Sequence, residues 1–393
     1  MSVPAPLRVA LFSGNYNYVR DGANQALNRL AEYLLRQGVA VRVYSPTTDT
    51  PAFEPMGDLV SAPSLPFPGG RDEYRFSTGM NRRVRDDLDR FAPDIIHVSA
   101  PDVLGHRAIS WARARRLPVL ATMHTRFETY FHYYRLGFVV PLIEAILRRF
   151  YTRADRVLAP SPSMAELMRA KGQGKRIGIW ARGIDTAIFT PARRSTAWRQ
   201  AQGIADQDVV IGFLGRLVME KGLDVFANAI RHLRAQGVQH RVLVIGDGPA
   251  RSWFESAMPD AVFAGFQSGP DLGRAVASMD VFFNPSVTET FGNVTLEAMA
   301  SGLPVVAARA TGSSNLVEDG TTGALVAPGD DQGFADALAA YCTDTARRES
   351  HGRAGLCASR AYDWDAMNAV VLDAYLELVA QRGLAQSPVG SAL

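Results

Sequence analysis

Two glutamates eight positions apart, Glu289 and Glu297, lie in the run NPSVTETFGNVTLEAMASGLPVV at residues 284–306. The strand-like stretch DVFFNPS leads into a loop carrying Glu289, and Gly292 then opens a helical pattern that bears Glu297 one turn in. A helix start presents backbone N–H groups without intrahelical partners, so Phe291, Gly292 and Asn293 can face an anion or sugar hydroxyls. Glu297 can accept both hydroxyls of a ribose, and Glu289 can reach a sugar. Upstream, GRLVMEKG at 215–222 ends a strand and opens a helix, with Arg216 and Lys221 five residues apart around the turn. Two cations there can neutralise a diphosphate that gains charge as a sugar departs, aided by the helix N-terminus. His124 follows LPVLAT at the carboxyl end of a strand pattern. Each feature alone is weak, because surface helices carry Glu for solvation, turns carry exposed cations, and a lone histidine is usually structural.

The elements that must position these residues follow from periodicity. Short Val, Ile and Leu runs alternate with helical spacing: LRVALFS, a helix over Asp21–Gln37, VAVRVYS, DIIHVSA, LPVLATMH, a helix around Phe138–Tyr151, DRVLAPS and RIGIWA. Buried parallel strands read this way, and the whole is a series of βα units. After TPARRSTAWRQAQGIADQD, a linker near Ile188–Ala205, a second series runs through VVIGFLG, HRVLVIGDG, AVFAG, DVFFNPS and LPVVAA. The fold class is α/β, two Rossmann-like doubly wound domains facing a central cleft. The expected boundaries are 1–190, 191–365, and a closing helix over 366–393 that crosses back to the first domain. In the first loop Gly14 follows the opening strand and Gly22 starts a helix with Asp21 as N-cap. That loop is not GxGxxG, which weakens a dinucleotide-oxidoreductase reading. In VIGDGP, Gly246 and Gly248 form a tight turn beside a nucleotide. The other strand-end histidine, His97, is read as structural.

Composition narrows the classes. At 393 residues with 47% hydrophobic and 21% charged content, the chain has globular rather than disordered or collagen-like make-up. Its two cysteines, Cys342 and Cys357, lack metal-ligand spacing and are read as packing residues in a reducing compartment. No secretory leader is visible, and the apolar stretch LGFVVPLIEAIL is too short to span a bilayer. Charge is uneven: residues 1–190 hold 26 Lys+Arg against 17 Asp+Glu, a balance of +9, and the remainder balances at −6. The first half therefore suits an anionic partner, although no basic tail or stacking motif points to nucleic acid.

The run ExFGxxxLEAMAxGxPVV at 289–306, with GRLVMEKG, VIGDGP, TMHT at 122–125 and the first glycine loop in order, resembles glycosyltransferase family 4. These are nucleotide-sugar-dependent retaining enzymes of the GT-B architecture. The resemblance implies catalytic roles for His124, Arg216, Lys221 and Glu289. It implies donor binding by Gly14, Gly22, Arg182, Gly215, Gly246, Gly248, Phe291, Gly292, Asn293 and Glu297. Members often have two adjacent glycines where this chain has Gly22 followed by Ala23. The family generally needs no divalent ion, so neither a cofactor nor a metal is expected, and the DxD-like Asp363-Trp364-Asp365 is read as a chance match.

HVSAPDVLG, TMHTRFETYFHYYRLG and GIWARGIDTAIFTP look like segments of bacterial lipid-modifying members, such as sulfoquinovosyl diacylglycerol synthases and GDP-mannose-dependent lipid mannosyltransferases. The expected donor is a UDP- or GDP-sugar, and the expected acceptor a lipid such as diacylglycerol, ceramide or a phospholipid. A soluble acceptor in polysaccharide or glycoconjugate synthesis is the alternative. Tyr130–Arg156 mixes aromatic, apolar and basic residues suited to an anionic membrane surface. The expected location is cytoplasmic, peripheral on the inner face of the cytoplasmic membrane.

Overall fold

Side chains along each apolar run alternate between two faces, so Val9 and Leu11 pack on one side of a sheet and Ala10 and Phe12 on the other. Strands buried on both faces need helices on both, which is why these segments read as unbroken hydrophobic runs. The computed structural model describes residues 6–19, 21–66, 75–126 and 137–386. The chain divides into two compact units, Met1–Ala181 with Trp364–Leu393, and Arg182–Asp363.

Among the described residues the first unit contains β1 (Arg8–Phe12), β2 (Ala40–Ser45), β3 (Asp58–Ser61), β4 (Ser64–Pro66), β5 (Arg75–Ser77), β6 (Ile95–Val98), β7 (Val119–Thr122), β8 (Arg156–Ala159) and β9 (Ile177–Ile179). Its parallel sheet has the order β3-β2-β1-β6-β7-β8-β9, and β4 and β5 form a separate antiparallel pair. Helix Gly22–Arg36 begins where Asp21 Oδ1 accepts from Asn24 N at 2.8 Å, which satisfies one of the orphan amides of its first turn. The last helix, Trp364–Gln386, covers one sheet face: Val371, Ala374, Tyr375 and Leu378 pack with Val9, Leu11, Ile95 and Leu120. Polar ties hold its length. Arg36 grips Asp365 with bonds of 2.6 and 2.9 Å, and Arg156 and Arg176 both meet Glu377. Asp365 of the DxD-like triplet is thus a partner of Arg36.

The second unit contains β10 (Val210–Leu214), β11 (Arg241–Ile245), β12 (Val262–Gly265), β13 (Val281–Asn284), β14 (Val305–Ala308) and β15 (Gly323–Val326). They form one parallel sheet in the order β12-β11-β10-β13-β14-β15. A cluster of Phe213, Phe226, Phe254, Phe283 and Phe334 fills one side of it.

Three expectations change. The break falls at 181/182 rather than 190/191, because Ile184 N bonds to Tyr362 O and the Ile188 carbonyl abuts Gly273, both within the second unit. The segment read as a linker is built into that unit: helix Thr196–Ala201 carries Arg199, 1% exposed. Its guanidinium meets Asp280 at 3.0 Å and donates to the carbonyls of Ser278, Ala205 and Asp208. A single buried cation among polar surface residues leaves no hydrophobic period to read. Cys357 is exposed rather than packed, whereas burial pushes the half-buried Cys342 thiol up to about 12.

Among the described residues no helix is long and apolar enough to cross a membrane. The part of the Tyr130–Arg156 patch up to residue 136 lies outside the described residues.

Candidate functional site

A doubly wound sheet opens a crevice where its strand order reverses, outside the carboxyl ends of the strands. In the second unit that point lies between β10 and β13, whose following loops carry Gly215–Gly222 and Pro285–Gly292. Lys221 closes a short 3-10 turn, Met219–Lys221, and its Nζ lies 2.6 Å from Glu289 Oε1. Thr288 Oγ1 donates to the Glu220 carbonyl at 3.2 Å, a second tie between the same two loops. Gly292 has φ +98°, a left-handed turn open to glycine at little cost, and from it helix Asn293–Ala300 departs. No side chain caps this helix. Asn284 Nδ2 donates to Thr295 Oγ1 at 3.1 Å, fastening the first turn to the end of β13. Phe291 is buried edge-to-face against Tyr362, with ring centres 5.8 Å apart.

Glu297 sits partly buried one turn into that helix, and burial, aided by the Glu289 charge, pushes its carboxyl up to about 7. Three buried oxygens in this neighbourhood, Asn293 Oδ1, Thr311 Oγ1 and Ser313 Oγ, have no hydrogen-bond partner among the described residues. The segment that holds the last two, a turn leading into helix Ser313–Leu316, comes up against Glu289 at Gly312. Orphaned buried polar atoms are uncommon in native proteins, and a group of them beside an uncapped helix start suits a polyhydroxylated or anionic ligand.

The glycine turn after β11 serves this site from behind. Gly246 has φ +134°, and a Cβ there would collide with the Gly215 carbonyl; a Cβ at Gly248 would collide with the Leu217 carbonyl. Leu217 N donates to Asp247 O at 2.9 Å and Gly215 N to Ile245 O at 3.0 Å. Gly246 and Gly248 therefore support the backbone of the Gly215–Leu217 turn. Arg216 is exposed on that turn, and Arg182, at the head of the unit, is buried, which lowers its guanidinium to about 10. Lys221, Glu289 and Glu297 are brought together, and Gly292 and Asn293 head the helix of Glu297.

The remaining residues singled out from the sequence lie in the first unit. Gly14 follows β1, with one Asp102 carboxylate oxygen beside it, while the other accepts from Gly105 N at 2.7 Å. Burial pushes the Asp102 carboxyl up to about 6. Gly22 begins the first helix. His124, half-buried just past β7, has its Nε2 2.9 Å from Thr122 Oγ1. Thr122 Oγ1 is also 2.8 Å from His97 Nε2, and His97 Nδ1 is 2.6 Å from the Tyr375 hydroxyl. Sequence reasoning missed Thr122, Asp102 and Tyr375. Asp102 followed three positions on by Gly105 has the spacing of an N-cap, but nothing local joins Tyr375 to a strand 278 positions away from it at His97.

Elsewhere on this unit Phe138, Leu142 and Ile146 are 79, 63 and 38% exposed at four-residue spacing, a stripe along the turn and helix of Gly137–Tyr151. Arg149 and Arg153 follow it; burial lowers the pKa of Arg153, and the neighbouring charges of Arg113, on helix Val103–Ala114, and Arg149 lower it further.

Residues 208–344 match the protein family described as "Glycosyl transferases group 1", and residues 20–188 that described as "Glycosyltransferase Family 4". The chain is 33% identical to sulfoquinovosyl transferase SQD2 of Arabidopsis thaliana over 93% of its length and 72% of that protein. It is 32% identical to a GDP-mannose-dependent alpha-mannosyltransferase of Mycolicibacterium smegmatis, covering 96% of this chain and 99% of the other. Among solved structures, Anabaena HepE in complex with UDP and glucose superposes with a TM-score of 0.72 at 20% identity, over 94% of this chain and all of that one.

Proposed function

Because this chain belongs to the group 1, family 4 glycosyltransferases, we propose that it moves a sugar, with retention of configuration, from a UDP- or GDP-sugar to a membrane lipid. The observation that carries the reading is the convergence of Lys221, Glu289 and Glu297 at the strand-order reversal of the second unit. The donor occupies this unit. Glu297 takes the ribose hydroxyls, the amides at Gly292 and Asn293 face the donor, and Arg216 and Lys221 take the diphosphate. In the ligand-free protein Glu289 holds the Lys221 ammonium. An arriving diphosphate competes for that cation, and Glu289 is then released to a hydroxyl of the sugar. As the glycosidic bond breaks, charge collects on the leaving phosphate, where the two cations act most strongly. The acceptor hydroxyl attacks from the side the diphosphate leaves, and the departing phosphate oxygen takes its proton. His124 orients the sugar or the reacting oxygen. No step in this scheme calls on a metal ion.

The lipid acceptor is supported by the names of the similar proteins, which include an alpha-monoglucosyldiacylglycerol synthase of Streptococcus pneumoniae at 26% identity. It is supported independently by the apolar stripe of Phe138, Leu142 and Ile146 that runs into Arg149 and Arg153. Apolar residues at helical spacing bordered by cations suit the boundary between acyl chains and anionic headgroups. The first unit then docks peripherally on the cytoplasmic side of the membrane. Incubation with labelled UDP- and GDP-sugars plus total bacterial lipid, followed by extraction into organic solvent, tests the whole reading. Label in the organic phase is expected with one donor. Label that stays in water-soluble product would support a soluble acceptor, and no transfer from any donor would refute the enzyme assignment.

A further inference from the structure

The hydrogen-bond chain Tyr375 Oη–His97 Nδ1, His97 Nε2–Thr122 Oγ1, Thr122 Oγ1–His124 Nε2 has lengths of 2.6, 2.8 and 2.9 Å. Tyr375, His97 and Thr122 are fully buried. We infer that this chain runs one way, from the phenol to His124, and fixes His124 as the tautomer that carries its proton on Nδ1. This deepens the reading of His124 as a substrate-facing residue and rests on it.

The direction follows from counting protons. Among the described residues the only partner of the Tyr375 hydroxyl is His97 Nδ1. A buried phenol that accepted there would leave its own O–H without an acceptor, so the phenol donates. Burial pushes His97 down to about 3, so its ring is neutral, with one proton for two nitrogens. With Nδ1 accepting, Nε2–H donates to Thr122 Oγ1. Thr122 has one hydroxyl proton, and having accepted from His97 it donates to His124 Nε2. A neutral His124 then bears its proton on Nδ1.

Two contacts stiffen the arrangement. Trp180 lies edge-on to both rings, with centres 5.7 Å from His124 and 6.4 Å from His97. Its indole N–H donates to Asn368 Oδ1 at 3.3 Å, and Asn368 Nδ2 donates to Arg29 O. The last helix thus contributes both the phenol that sets the polarity and the amide that holds the indole. With Nε2 engaged by a donor, the other ring nitrogen of His124 carries an N–H rather than a lone pair, so the ring acts as a hydrogen-bond donor rather than a base. Tyr375, His97 and Thr122 are positioning residues that act through it.

Long-range proton–nitrogen spectra of the full chain with labelled histidine test this directly, the His124 ring being assigned by its loss in His124→Gln. Wild type is expected to show a protonated Nδ1 and an unprotonated Nε2. Tyr375→Phe and Thr122→Val should shift that ring towards the Nε2–H form, and Thr122→Ser, which keeps the hydroxyl, should restore the wild-type pattern. In the presence of donor and acceptor, the first two variants should lose roughly three- to tenfold in kcat with little change in donor KM, the worth of one neutral hydrogen bond. A wild-type ring protonated on Nε2, or an unchanged ring in both variants, overturns the inference. Wild-type turnover in His124→Ala would instead remove the functional reading of His124, whatever the tautomer.

Discussion

The substitution Glu297→Gln separates what the fold gains from what the site needs. In an unfolded chain this carboxyl titrates near 4.5, and in the folded protein it is held at about 7. Below the lower value both states carry the proton and the group costs nothing. As pH rises from 4.5 to 7 the unfolded chain gives up its proton while the folded one keeps it, so stability falls, and above 7 the full penalty applies. At 1.36 kcal/mol per pKa unit the ceiling is about 3 kcal/mol, and partial contact with solvent brings the expected value to ~1–2 kcal/mol. Glutamine has the same shape and no charge at any pH. The variant should therefore match wild type near pH 4.5 and exceed it at pH 8, by ~2–8 °C in the melting midpoint of a unit this size. Calorimetric titration with free UDP and GDP at pH 8 should show the opposite sign. Losing a charged partner for the ribose hydroxyls weakens binding about ten- to a hundred-fold in Glu297→Ala, and in the same direction in Glu297→Gln. If Glu297→Gln melts no higher than wild type at pH 8, the carboxyl is not being held against its charge. If nucleotide affinity is unchanged in both variants, Glu297 does not touch the donor.

Arg216→Ala and Lys221→Ala should each lower the single-turnover rate at saturating donor by about a hundred- to a thousand-fold, since their charge is needed most as the diphosphate departs; wild-type rates in both would sink the assignment. Arg199→Met should destabilise the second unit by about 3–5 kcal/mol, because Asp280 and three carbonyls lose their shared donor; a denaturation midpoint equal to wild type would show that the segment before β10 is not fastened this way. Co-sedimentation with anionic vesicles should exceed that with zwitterionic ones and weaken with salt. It should fall when Arg148, Arg149 and Arg153 become Ser together, and again when Phe138 and Leu142 become Ser; binding indifferent to lipid charge, salt and substitution would make this face merely solvated.

Strand positions were legible because buried parallel strands are unbroken Val, Ile and Leu runs, and the carboxyl end of each run is where Glu289, Arg216 and His124 stand. The Lys221–Glu289 pair was legible only as two separate residues. Their meeting depends on β10 lying beside β13, a pairing that no local pattern encodes. Arg199 was illegible for the opposite reason, since a charged residue in a Pro- and Arg-rich stretch reads as solvated and its burial is visible only with Asp280 in place. His97 read as structural, whereas its two ring nitrogens bridge Tyr375 and Thr122 in the chain that reaches His124. The direction of its bonds became apparent only with Tyr375, which follows it by most of the chain.

Because the first unit is assembled from both ends of the chain, its sequence order is also a schedule. On the ribosome, residues 182–363 emerge as one continuous stretch and can complete their sheet during synthesis. The sheet face bearing Val9, Leu11, Ile95 and Leu120 emerges earlier yet waits for Val371, Tyr375 and Leu378, which are made only after the whole second unit. Until then it is an uncovered apolar surface of the kind chaperones hold. A truncation that removes Trp364–Gln386 would therefore strip the cover from the unit begun first and leave the unit of residues 182–363 with its own core intact.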